Sequence, residues 1–206
     1  MFFLAAFVLQ FCVMADSARC EELGYADFPY TSDGVTITLE TTGGVSSYSS
    51  GWSDCGSTVT TKNGAIWLGY GGGGTINNTF SKTVSSVTYR IAAANIGETF
   101  TLTTNGGVPS ITVDAGCSYG VAGNVLTFSG SDVGAIITVT VANPVTSFTM
   151  AHNGVGGGSL VTLGGYTTGE ASVPVSGTAM VVLFLLICAA GIICLRGRSP
   201  LAGTPA

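Results

Sequence analysis

Charge is what this chain has least of. Charged residues make up 8% of its 206 positions, against about 25% in an average soluble domain. Lys and Arg together number six, and there is one histidine. Two of the basic residues, Arg196 and Arg198, sit near the C-terminal end. Between positions 16 and 172 four basic residues face eleven acidic ones, a net of −7. With no basic cluster to neutralise phosphates, nucleic-acid binding drops out. No Gly-x-Ser-x-Gly elbow occurs, which removes one route to a nucleophilic hydrolase. No two cysteines lie close enough for a zinc knuckle. The glycine runs 71–74 and 156–158 are not followed by Lys-Ser/Thr and precede no helix, so they read as loops between strands, not phosphate cradles. Between positions 20 and 172 there is neither helical periodicity nor a long apolar run.

Apolar runs stand only at the two ends. The chain opens MFFLAAFVLQFCVMADSA, an apolar stretch with the length of a signal-peptide core and Val13-Met14-Ala15 before the expected cut. Residues 1–15 are therefore expected to be a signal peptide. Residues 178–195 are uncharged, and as a helix would be about 27 Å long, near the thickness of a bilayer's hydrocarbon core. Pro174 and Gly177 mark the entry to this run, and Arg196 and Arg198 its exit on the cytoplasmic side. The expected plan is a domain over 16–166, a linker and sorting motif over 167–177, a membrane helix over 178–195 and a cytoplasmic tail over 196–206. That makes a single-pass protein of the cell envelope or surface, N-terminus outside.

The middle of the chain alternates. Val35, Ile37 and Leu39 are interleaved with Thr36, Thr38 and Glu40, and Val87, Tyr89, Ile91 and Ala93 with Thr88, Arg90 and Ala92. Phe100 and Leu102, and Val139 and Val141, repeat the pattern, and Phe148, Met150 and His152 share one face. Period-two alternation is the mark of half-buried antiparallel strands. Asp33-Gly34, Asn63-Gly64, Asn105-Gly106-Gly107, Ala122-Gly123-Asn124 and Asn153-Gly154 supply the turns. About eleven short strands in this spacing predict an all-β, antiparallel, jelly-roll-like β-sandwich.

Two resemblances add to this. Val173, Pro174, Ser176, Ala179 and Met180, then the apolar run, then Arg196 and Arg198, resemble the C-terminal sorting signals of bacterial surface proteins, the PEP-CTERM and IPTL-CTERM type. The usual Glu-Trp is replaced by Gly177-Thr178 and the tail continues as SPLAGTPA, so the signal is a degenerate one. The resemblance implies a sorting transpeptidase as a partner. In the middle, FSKTVSSVTYRIAAANIGETFTLTTNGG and NPVTSFTMAHNGVGGGSLVTL are similar to β-sandwich modules of bacterial exported proteins, through Phe80, Val84, Val87, Tyr89 and Phe148. Those positions speak for fold and not for activity.

Few residues are candidates for chemistry. Cys12 falls in the signal, and Cys188 and Cys194 in the membrane run. Cys20, Cys55 and Cys117 remain in an oxidising setting. Three allow one bridge, either Cys20–Cys55 or Cys55–Cys117, and the first is favoured because a terminal segment gains most from a tie. His152 reads as structural. Glu40, Asp54, Asp114 and Asp132 could serve a glycosidase, but nothing pairs them. No cofactor is required. Calcium is the one that scattered acids on β-loops could hold, with Asp27, Asp33 and Glu40 contributing. Tyr48 and Trp52 lie in the polar SSYSSGWSDCG loop, and Trp67 and Tyr70 just before a glycine run. Trp52, Tyr48 and Tyr70 are candidates to stack on sugar rings, whereas Trp67 reads as core. Asn77-Asn78-Thr79 fits an N-glycosylation acceptor. The expected function is a membrane-tethered structural or adhesion-type surface protein without catalysis, partnered by the membrane, envelope or matrix glycans, or other surface proteins. The alternatives are a carbohydrate-binding module and, behind it, a hydrolase built on paired acids or His152.

Overall fold

Asp33 and Gly34 show how the sequence builds the fold. Both have positive φ, 52° and 69°, as a type I′ turn demands. They join β1 (Tyr30–Ser32) to β2 (Val35–Gly43) with Ser32 opposite Val35. The computed structural model describes residues 21–169. The expected signal peptide, Cys20, the sorting positions Val173, Pro174, Ser176, Ala179 and Met180, the membrane run and Arg196 and Arg198 lie outside them. Among the described residues no helix is long and apolar enough to cross a membrane.

Thirteen strands follow one another among the described residues. After β1 and β2 come β3 (Val45–Tyr48), β4 (Trp52–Asp54), β5 (Val59–Thr61) and β6 (Ala65–Leu68). β7 (Gly74–Ala94), β8 (Thr99–Thr104), β9 (Ser110–Gly116) and β10 (Tyr119–Ala122) are next, then β11 (Val125–Phe128), β12 (Val133–His152) and β13 (Ser159–Thr168). All pairings are antiparallel. The all-β antiparallel expectation holds. Its detail changes: eleven strands form one continuous curled sheet, in the order β10-β11-β8-β12-β7-β13-β6-β3 with β1, β2 and β9 attached, and β4 and β5 pair by themselves.

The strands are not all short. β7 has 21 residues and β12 has 20. Positions 74–80 of β7 pair with β2 and with the end of β12, whereas positions 84–94 pair with β13 and the beginning of β12. Register shifts between Thr140 and Ser147 bend the ladder there. Bulges of this kind are how a long ladder changes direction. Side chains from both parts meet in one core that includes Ile76, Phe148 and Met150 from one part and Tyr89, Ile137 and Val161 from the other. The Tyr89 hydroxyl donates to Asn78 Oδ1 at 2.9 Å in its midst, and burial pushes the Tyr89 pKa up.

The chain leading into the domain is tied without a cysteine. Leu23 pairs with Leu163. Glu22 accepts from the Lys62 amide at 3.0 Å and the Thr162 hydroxyl at 2.5 Å. Asp27 pairs with Lys62 at 2.8 Å. The bridge that forms is therefore Cys55–Cys117, with Cα atoms 5.7 Å apart, inside the range a disulfide requires. This corrects the Cys20–Cys55 preference: the terminal segment already has its tie, and Cys55 follows β4 while Cys117 follows β9. At the other end β13 runs past position 166, and the Gly169 amide donates to Thr83 O at 3.1 Å.

Candidate functional site

Aromatic residues from three strands gather around one recess. Tyr48 ends β3, Trp52 begins β4 and Trp67 lies in β6. The Tyr48 ring centre is 6.4 Å from that of Trp52 and 5.3 Å from that of Trp67, with interplanar angles of 69° and 90°. All three side chains are half-buried. Together with Ala93, Asn95, Asp132 and Leu160 they line a recess of about 250 Å³. The glycines 156–158 of the loop between β12 and β13 complete it.

Each part is held in place. The Trp52 indole N–H donates to Asp54 Oδ1 at 2.9 Å, and the other Asp54 oxygen accepts from the Ala93 amide at 2.6 Å. Ala93 has φ of 55° and falls where the β7–β12 register breaks. The expected alternation thus fails at its last step: Ala92 and Ala94 are buried, and Ala93 turns to the recess. The Cys55–Cys117 bridge fastens the β4–β5 hairpin beside Trp52 to the end of β9. The Trp67 indole N–H donates to Gly157 O at 3.0 Å. Asn95 Nδ2 donates to Ala93 O at 3.3 Å and Gly156 O at 3.4 Å. Both indole N–H groups are thus used by the protein, and the two side chains meet the recess with their rings.

The glycine loop rests on a buried polar cluster. Glu98, between β7 and β8, is fully buried. Its Oε1 accepts from the Gly158 amide at 3.2 Å and its Oε2 from the Ser159 hydroxyl. His152 Nε2 lies 3.6 Å from Glu98 Oε2, with both side chains wholly inaccessible. His152 Nδ1 accepts from the Gly154 amide at 3.0 Å, so a neutral ring carries its proton on Nε2, towards Glu98. The Phe100 ring packs 4.9 Å from the imidazole. His152 does share the face of Phe148 and Met150, as alternation predicts. An acid–imidazole pair exists, but the hydroxyl beside it is bonded to the carboxylate and not to the ring.

The remaining candidates are scattered. Tyr70 is exposed and packs on Trp67, ring centres 4.6 Å apart, without lining the recess. Trp67 is not core: its neighbours Ile66 and Leu68 are buried while its own ring walls the recess. Asp27 sits in a short 3₁₀ turn (Tyr25–Asp27), Asp33 in the β1–β2 turn and Glu40 on β2. The three are not brought together, and among the described residues no group of three His, Cys, Asp or Glu side chains is placed to hold a metal. Burial pushes the Asp27 carboxyl up, but hydrogen bonds from Lys62 and the Gly24 amide outweigh it and hold it below its ordinary value. Asp54 is buried under Trp52, and Asp114 on β9 accepts from Thr138 at 2.7 Å. Asp132 is at the recess. Asn77 stands inside β7 with its amide bonded to Glu40 and Thr149.

Compared with protein-family models, with curated proteins and with solved structures, the chain matches none.

Proposed function

We propose that this chain is a non-catalytic, exported surface protein of the structural or adhesion type, and that its domain binds carbohydrate through the aromatic recess. The observation that carries the reading is the trio Tyr48, Trp52 and Trp67, all three lining one recess and both tryptophans anchored through their indole N–H groups. Sugar rings stack their C–H faces on such surfaces. The burial of Glu98 and His152 supports the absence of catalysis, because an acid–base pair must reach its substrate. The curled sheet, in which β7 and β12 run through both parts, is consistent with a jelly-roll-like sandwich. The sequence features at the two ends support export by a signal peptide, tethering by residues 178–195, and recognition of positions 173–180 by a sorting transpeptidase in a bacterial envelope.

A glycan array tests the binding claim. Binding to at least one glycan class that disappears in Trp52→Ala is the expected result, and array-wide silence would sink it. Intact mass and fractionation of the native protein test the location. A membrane-bound product spanning Asp16 to Ala206 means a permanent anchor. A product cut near Pro174 in wall, matrix or medium means a sorting tag. A cytosolic chain starting at Met1 would contradict export.

A further inference from the structure

The rings of the recess do not form a flat strip. Interplanar angles of 69° and 90° set Tyr48 edge-on to both tryptophans, so the three aromatic side chains that line the recess are not coplanar. Ring faces carry the negative part of the aromatic quadrupole and attract cations. With their N–H groups bonded to Asp54 and Gly157, the indoles offer no donor to an anion.

The charge at the site has one sign. Asp132 lines the recess and no Lys or Arg does. Among the described residues no hydrogen bond or ion pair engages the Asp132 side chain, which is exposed in the loop before β12. The surrounding domain has the same sign, since between positions 16 and 172 eleven acidic residues face four basic ones. Such a field draws cations towards the recess. At about 250 Å³ the space falls below the roughly 300–1,000 Å³ of pockets for drug-sized ligands, and suits one sugar ring.

We infer that the recess recognises an amino sugar with a free amine, its ammonium held between the aromatic faces and Asp132. The inference rests on the carbohydrate reading above and narrows it: neutral and N-acetylated sugars lack the charge that the recess is built to receive.

Both tryptophans of the chain line the recess, so their fluorescence reports its occupancy. The test titrates the full-length protein with glucosamine oligomers, N-acetylglucosamine oligomers, cello-oligomers and choline. Asp132 has φ of 51°, which asparagine tolerates, so Asp132→Asn keeps the backbone. Glucosamine oligomers are expected to bind about tenfold more tightly than the N-acetylated ones. Asp132→Asn should erase that preference, added salt should weaken it, and Trp52→Ala should abolish all binding. Equal affinity for free and acetylated oligomers, unchanged in Asp132→Asn, overturns the amine inference and leaves the carbohydrate reading standing. Choline binding as tightly as the amino sugar shows that the sugar ring is not read, and no response to any oligosaccharide removes the carbohydrate reading itself; either outcome overturns the inference as well.

Discussion

Replacing Cys55 and Cys117 together by alanine opens a loop whose ends are 62 residues apart in sequence. In the chain-entropy description, closing a loop of that length removes about 14 cal/mol/K from the unfolded ensemble, or about 4 kcal/mol at 25 °C. Cys55–Cys117 is the one disulfide among the described residues, and the β4–β5 hairpin that it fastens is outside the main sheet. What would remain there includes the Asp54 bond to the Ala93 amide, the Arg90 guanidinium bond to Thr60 O, the Tyr48–Trp52 ring contact and the burial of Val59 and Thr61. Urea unfolding followed by tryptophan fluorescence measures the loss. With a urea slope of about 1–3 kcal/mol/M, the midpoint should fall by about 1–4 M. Cys55→Ala alone should fall equally far, as should the unsubstituted protein under reductant, because each breaks the same loop. A double variant within about 0.5 kcal/mol of the parent, or peptide mapping that finds Cys20 bridged to Cys55, would refute this reasoning.

Three further outcomes follow from individual contacts. Tyr89→Phe removes the donor to Asn78 Oδ1, and Asn78 Nδ2 is already unpartnered among the described residues, so urea unfolding should show a loss of about 1–3 kcal/mol; an unchanged midpoint would contradict it. Gly158 has φ of 90°, and a Cβ there would lie 2.7 Å from Leu68 O. Gly158→Ala should therefore cost about 1–3 kcal/mol and, by shifting the loop that receives the Trp67 N–H, alter the tryptophan emission of the folded protein. The Asp27 carboxyl is depressed below 3.8, so its contribution is full above that value and is lost as pH falls through the folded pKa. The Lys62 ammonium, raised above 10.5 chiefly by its hydrogen bond to Asp27, contributes below that value and loses its share as pH rises through the folded pKa. Both groups are about a third exposed, so the amplitudes are small. Lys62→Met should flatten both limbs of the stability–pH curve, and an unchanged acid limb would count against the pair.

The period-two pattern was readable wherever one face of a strand is buried and the other is wet. Val35 and Ile37, Phe100 and Leu102, and Phe148, Met150 and His152 all point inward as the alternation predicts. The lengths of β7 and β12 were not readable. Ser81 and Lys82 in β7, and Ala142 and Asn143 in β12, are exposed where the ladders shift, and in sequence they look like the gaps between separate short strands. Tyr48 and Trp52 announced themselves as aromatics in a polar loop. Trp67 did not, because it stands between two buried neighbours, and no local pattern says which face of a strand will stay open. Asp132 reaches the recess through the pairing of β12 with β7, where Val133 stands opposite Ala94, and the glycines 156–158 through the pairing of β13 with β6 and β7, which is long-range information. Glu98 has no local signal of its role, because its burial depends on the Gly158 amide and the Ser159 hydroxyl arriving from a distant loop.

The most direct test of the account is a titration of the full-length protein with glucosamine oligomers, read by the fluorescence of its two tryptophans. The account predicts a saturable change in emission that is absent in Trp52→Ala and weakened in Asp132→Asn. Emission that stays flat with these oligomers, with their acetylated forms and with neutral oligosaccharides would contradict a carbohydrate site in the aromatic recess.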